Sequence, residues 1–268
     1  MIDLHSHILP GIDDGAKTLE ISLEMARIAV ADGTTVMACT PHIYPGMYMN
    51  DSGGIHAERD KLQAALDLYK IPLKLVVGAD AHLVPELLEG LKSGRVPTIN
   101  GSRYFLLEPS HHVAPPFFES SVFNIMAAGF LPVITHPERL IWIQDHYDTF
   151  VALAKRGVWM QITAGALLGK FGKPARRWSE RLLDDGYVHL IASDAHTVNM
   201  RNPQMAEAVK RAATFVGHEE ARRMVYDRPQ AILDNLDPSQ VLPPPGLAPE
   251  REPGSASSVP WYRRLLKS

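Results

Sequence analysis

A single cysteine, Cys39, in 268 residues leaves no internal disulfide to hold this chain, so its fold has to rest on burial. Cys39 also fails as a phosphatase nucleophile. That chemistry needs an arginine after five intervening residues, and Pro45 stands there. No stretch reaches the roughly 18 uninterrupted apolar residues of a spanning helix. The opening Met1-Ile2-Asp3-Leu4-His5 has neither a basic region nor an apolar run, and a soluble, cytoplasmic protein is expected. A formal net charge of -3 sets up no field for nucleic acid or an anionic membrane, so any affinity for phosphate has to be local. The sequence holds no Gly-rich Walker loop and no dinucleotide fingerprint, and no nucleotide cofactor is indicated.

What is present is an ordinary globular composition, 46% hydrophobic and 21% charged, enough for one catalytic domain with a full core. Strands are expected at Met1 to His5, Thr35 to Thr40, Leu73 to Gly78, Tyr104 to Glu108, Leu131 to Thr135, Val158 to Thr163 and Val188 to Ala192. Between them lie helical stretches at Leu19 to Ala31, His56 to Tyr69, Phe118 to Ala128, Tyr147 to Arg156, Arg176 to Asp184 and Pro203 to Val216. This alternation suits an open doubly wound sheet or a closed α/β barrel. The polar residues favour the barrel, because nearly every strand end carries a metal-capable side chain: His5 and His7, His42, Asp80, Glu108, His136, and Asp194 with His196. After Asp237 the composition turns to Pro243-Pro244-Pro245 and Gly254-Ser255-Ala256-Ser257-Ser258, which reads as a disordered tail over 238–268. The tail closes on the basic, aromatic Trp261-Tyr262-Arg263-Arg264-Leu265-Leu266-Lys267, read as a frayed end in preference to a docking segment.

His5 and His7 sit two apart in a strand, so both imidazoles face one side and can share an ion. Taken alone the pair is weak evidence. Thr40-Pro41-His42, His136-Pro137-Glu138-Arg139 and Ser193-Asp194-Ala195-His196 repeat the theme at later strand ends, and Glu108 places a costly carboxylate against an apolar strand. In Ile12-Asp13-Asp14-Gly15, Asp13 fits ligation or an Asx turn equally well. Imidazole and carboxylate donors without thiolate suit Mn²⁺, Fe or Zn²⁺, and so many donors exceed the needs of one ion. Two or three ions bridged by carboxylates could generate hydroxide and brace the attacking and leaving oxygens. Arg139 and Arg201 follow His136 and His196 closely, where guanidinium forks suit a tetrahedral oxyanion; for Arg201 ordinary surface placement stands nearly level with that role. His82, His111 and His112 read as rim or loop residues.

With these motifs assembled, the chain resembles the polymerase and histidinol phosphatase (PHP) superfamily, in particular its capsular-polysaccharide branch, the CpsB/YwqE-like tyrosine-protein phosphatases. The resemblance is carried by Met1 to Gly15, Thr40-Pro41-His42, His136 to Arg139 and Ala192 to His196, in order, from Met1 to about Asp237. It implies a distorted TIM-like (β/α)7 barrel over 1–237 and a three-ion site, manganese first. It places His5, His7 and Asp194 on one ion, Asp80 between that ion and a second with Glu108 and His136, and Asp14, His42 and His196 on a third. It also implies attack by metal-bound hydroxide on phosphotyrosine, with Arg139 and Arg201 on the equatorial oxygens. The expected partner is a bacterial tyrosine autokinase of exopolysaccharide export. Asp80 departs from the branch, which usually has Glu there; one methylene less puts the bridge in doubt. The alternatives are a small phosphomonoesterase of the histidinol-phosphate kind, a phosphodiesterase, an amidohydrolase-like metallohydrolase, and a catalytically silent metal protein.

Overall fold

The computed structural model describes residues 1–249. Its elements, in chain order, begin β1 (Ile2–Ser6), α1 (Leu19–Ala31), β2 (Val36–Cys39), β3 (His42–Tyr44), β4 (Tyr48–Met49), α2 (Ser52–Leu68), β5 (Lys74–Val77), β6 (Asp80–His82) and α3 (Leu87–Lys92). They continue β7 (Tyr104–Glu108), α4 (Phe118–Ala127), β8 (Leu131–Thr135), α5 (Ile143–Lys155), β9 (Trp159–Thr163), α6 (Ala164–Leu167), α7 (Gly172–Asp184), β10 (Leu190–Ala192), α8 (Ala206–Val216), α9 (His218–Arg223) and α10 (Asp227–Leu233). All seven expected strands are present. Their pairings are parallel, in a three-stranded sheet ordered β1-β2-β5 and a seven-stranded sheet ordered β10-β9-β8-β7-β6-β3-β4; the short β3–β4 hairpin alone is antiparallel.

Why there are two sheets follows from two breaks. The runs Thr35 to Thr40 and Leu73 to Gly78 stop at Thr40-Pro41 and Gly78-Ala79, and the chain then resumes as β3 and β6, which pair with each other, β6 pairing in turn with β7. Pro41 lacks the N–H a continuous ladder would require. The break carries His42 and Asp80 sideways into the row formed by the strands β7 to β10. At the opposite margin Ser6 bridges Ala195, and Asp194 N donates to His5 O at 2.8 Å.

Strand parity sorts the core. Ile2, Leu4, Ala38, Val76, Leu106, Val133, Trp159 and Leu190, drawn from every long strand, form one buried cluster. Met37, Cys39, Leu75, Phe105, Leu107, Ile134, Met160 and Ile162, of the opposite parity, join the larger cluster under the helices. A register irregularity between Asp3 and Ser6 shifts the phase of β1. Ile2 and Leu4 therefore fill the lower layer while His5 and His7 stand above it.

The folded unit does not end at Asp237 as its composition suggests. Buried Arg228 donates from Nε to Leu242 O at 3.1 Å, Gly246 N donates to Gly186 O at 3.0 Å, and Val241 and Leu247 lie against the two buried clusters. The prolines here supply turns, and the apolar residues between them cover the foot of the strands. The rest of the expected tail, with Trp261 to Lys267, lies outside the described residues. Among the described residues no helix is long and apolar enough to cross a membrane.

Candidate metal centre

His5 and His7 are buried with their Nε2 atoms 3.2 Å apart. The other nitrogen of each ring is already engaged: His5 Nδ1 meets Gln161 Oε1 at 2.8 Å, and His7 Nδ1 meets Asp13 Oδ2 at 2.7 Å. Both oxygens are acceptors, so each Nδ1 carries a proton and each Nε2 faces its counterpart across the centre. Two imidazole nitrogens this close need a proton or a cation between them. Asp13 is thus an orienting residue and a turn residue at once, since its Oδ1 also accepts from Gly15 N at 2.8 Å. The loop folds so closely over His7 that a Cβ on Gly15 would lie 2.1 Å from His7 O, which only glycine permits.

Around this pair the remaining strand-end residues converge. Asp80 Oδ2 lies 3.4 Å from His5 Nε2, 3.5 Å from His42 Nδ1 and 4.0 Å from His136 Nε2. Asp194 Oδ1 lies 3.4 Å from both His5 and His7 and 3.5 Å from His196. Potential ligand atoms gather within 4.8 Å of one another in five overlapping groups: His7-Asp14-His42-His196, His5-His7-Asp80, His5-His136-Asp194, Glu108-His111-His136 and His42-Asp80-Glu108. All nine residues expected as ligands are included. The sharing is wider than the expected partition, because His5, His7, His42, Asp80, Glu108 and His136 each belong to two groups.

His111, read from sequence as a rim residue, also enters: its Nε2 is 3.3 Å from Glu108 Oε1. His82 stands 3.4 Å from Glu108 Oε2 with its ring stacked on Tyr44 at 3.9 Å. Gln161, absent from the expected set, could have been suspected as the polar residue inside the apolar strand Trp159-Met160-Gln161-Ile162. His136 and Asp194 both hold left-handed backbone, φ 36° and 50°, a strained conformation that the surrounding fold imposes on two residues of the centre.

The donor set fits divalent cations. Asp80 Oδ2 and His196 Nε2 are buried at the centre and make no hydrogen bond. Charge tells the same story. Burial works against charge on His5, yet the carboxylates of Asp80 and Asp194 outweigh it and raise its pKa to about 9. Burial likewise opposes charge on His42, and its bond to Glu108 with the field of Asp80 carries it to about 10. Asp194, despite its burial, is held well below the usual carboxylate range by Arg139 and Arg201. Without metal, protons on the imidazoles do the neutralising that cations would do.

This sets a pH signature. A histidine whose folded pKa exceeds its unfolded value of about 6.5 stabilises fully below that pH and loses the contribution as pH rises through the folded value. For the metal-free chain the window is therefore about 6.5 to 10. The melting temperature of the stripped protein is expected to fall across that window relative to the Mn²⁺-loaded protein, followed by scanning calorimetry; a constant gap between the two would show that His5 and His42 do not carry the compensating charge.

Arg139 and Arg201 complete the rim. Both donate to Asp194 Oδ2, Arg201 Nη2 at 2.7 Å, so the carboxylate faces the imidazoles with one oxygen and the guanidiniums with the other. Both guanidiniums also lie over the ring of Phe171, at 4.3 and 5.7 Å from its centroid, a residue the motif reading passed over.

The family model described as capsular polysaccharide synthesis, CpsB/CapC, matches residues 1–234. The chain belongs to the CpsB/CapC family. It is 37% identical to the tyrosine-protein phosphatase YwqE of Bacillus subtilis over 210 residues, 78% of this chain and 82% of that relative. It is 34% identical over 245 residues to a Staphylococcus aureus protein named as a tyrosine-protein phosphatase, CapC, covering 91% of this chain and 95% of the relative. Among solved structures, those of YwqE from Bacillus subtilis and CpsB from Streptococcus pneumoniae, described as unique metal-dependent tyrosine phosphatases, match with a TM-score of 0.84 at 34% identity, over 88% of this chain and 96% of the matched one. The dihydropyrimidinase of Brevibacillus agri, at 10% identity and a TM-score of 0.53 over 87% of this chain and 70% of its own, shares the fold alone.

Proposed function

We propose that this chain is a metal-dependent protein-tyrosine phosphatase acting on a tyrosine autokinase of capsule or exopolysaccharide synthesis in the cytoplasm. The observation that carries the reading is the juxtaposition of an imidazole–carboxylate cage with Arg139 and Arg201, a cation site and an oxyanion clamp sharing Asp194. The strand order and the bonds from β1 to Asp194 and Ala195, just past β10, support a distorted (β/α)7 barrel of the PHP type, one catalytic unit to about Ala248. His5, His7, Asp14, His42, Asp80, Glu108, His136, Asp194 and His196 would hold the metal, three ions with manganese first.

Bound divalent ions would supply Lewis acidity and an activated water. The chain's own part is placement. Gln161 and Asp13 fix the tautomers of His5 and His7, keeping their inner nitrogens unprotonated. Arg139 and Arg201 turn from Asp194 toward the phosphoryl oxygens, where forked donors suit the equatorial triangle of an in-line transfer. The phenolate of tyrosine, of pKa about 10, departs without strong help from an acid.

Turnover tests this directly. The Mn²⁺-loaded protein is expected to release phosphate from a phosphotyrosine peptide at least about a hundredfold faster, in kcat/KM, than from histidinol phosphate, and to lose the activity to a chelator. Activity that persists after metal removal, or a preference for the small ester, would refute the reading.

A further inference from the structure

We propose that the cleft beside Arg139, walled by Phe171, Trp178, Leu140 and Ile141, binds the aromatic ring of the phosphate ester and so selects aryl over alkyl phosphates. The inference rests on the phosphotyrosine reading and extends it from the phosphoryl group to the organic part of the substrate.

A phosphoryl group gripped by Arg139 and Arg201 leaves its ester oxygen and whatever that oxygen carries to exit along the rim. On the Arg139 side the rim opens into a cavity of about 450 Å³ whose lining includes His111 and Arg139 themselves. His111 is 3.3 Å from Glu108, and its ring centroid is 4.8 Å from that of His136, so the cleft begins at the edge of the cage. The volume falls within the range of small-ligand clefts, roughly 300–1,000 Å³, ample for one ring and the adjoining peptide. Comparable cavities lie elsewhere; one of about 390 Å³ between Leu83–Leu88 and Pro115–Phe117 is more apolar but contains neither arginine.

The walls are rigid and flat. Phe171 is fixed under both guanidiniums, and its ring comes so near residue 165 that a Cβ on Gly165 would lie 3.0 Å from it. Trp178 packs against Tyr147 with ring centroids 5.4 Å apart, and the Arg181 guanidinium covers both rings. Ile141 stands at the lip, 69% exposed, its backbone N–H tied to His111 O at 3.1 Å. A ring seated in the cleft would cover Ile141 and remove its apolar surface from water. An alkyl phosphate, short and flexible, would leave these surfaces wet and gain nothing from them.

Non-hydrolysable phosphonates separate the ring from the phosphoryl group. The full Mn²⁺-loaded protein is expected to bind phenylphosphonate about tenfold more tightly than methylphosphonate by calorimetry. Ile141→Asn, a neutral change at an exposed position, should cut that preference at least threefold and leave methylphosphonate binding unchanged. Equal affinities in the wild type, or a preference untouched by Ile141→Asn, would overturn the subsite. A preference that behaves as expected in a protein that fails to hydrolyse phosphotyrosine peptide would uphold the subsite and strike only the phosphatase reading.

Discussion

Asp194→Asn is expected to lower kcat/KM on phosphotyrosine peptide by about 10³-fold or more while leaving the fold intact. Both oxygens of this carboxylate are committed. Oδ1 faces His5, His7 and His196, and Oδ2 accepts from Arg139 and Arg201. An amide has one oxygen and one NH₂ group in their place. Whichever way it turns, donors confront donors at the guanidiniums, or an amide nitrogen that cannot ligate a cation faces the cage. The substitution also removes the negative charge that the imidazoles and two arginines surround. Asparagine tolerates the left-handed backbone at this position better than most residues, so thermal stability with metal present should change little. Elemental analysis and steady-state kinetics on the same preparation would check both halves of the expectation. Retention of more than about a tenth of wild-type activity would mean that the clamp and the cage do not depend on Asp194.

Much of this centre is legible in the sequence because of how parallel strands end. A strand buried on both faces has to be apolar, so a histidine or carboxylate straight after one is conspicuous, and His42, Glu108, His136 and Asp194 all stand out in that way. The six longer helices are legible through their apolar faces, α1 with the same bounds in sequence and structure, whereas the short α3, α6, α9 and α10 carry too few turns to show one. Orienting contacts were harder to see. Asp13 and Gln161 each orient a histidine through one hydrogen bond, to partners 6 and 156 residues away, and no local pattern encodes the second. Phe171 was invisible for a similar reason: its importance lies in being under two arginines from different loops. The splitting of two strands by Pro41 and Gly78-Ala79 had a local signal, but its result, a sideways step into another sheet, is a tertiary fact. The stretch from Pro238 to Ala248 misled because proline-rich composition describes what a segment cannot do alone, and here the folded body supplies the partners.

Asp80→Ala should reduce bound metal and lower activity by about 10²-fold to 10³-fold, whereas Asp80→Glu should bring no gain despite the longer side chain. The argument starts from backbone position. β6 resumes after the Gly78-Ala79 break, with Asp80 N bonded to Pro41 O at 3.1 Å and Asp80 in register with His42 and Leu106. That step seats the short carboxylate within 3.5 Å of two imidazoles and 4.0 Å of a third, while its other oxygen accepts from Thr135 Oγ1 at 3.4 Å. Where the strand runs thus lets the short side chain reach all three imidazoles. Alanine would leave His5, His42 and His136 without the carboxylate they share. Glutamate would have to place an extra methylene at a position with no exposed surface, at a cost of about 1–3 kcal/mol in displaced neighbours. Metal content, melting temperature and kcat/KM measured on both variants distinguish the cases. A glutamate variant that outperforms the wild type would show that the strand has not compensated, and that the chain works with a loosened bridge.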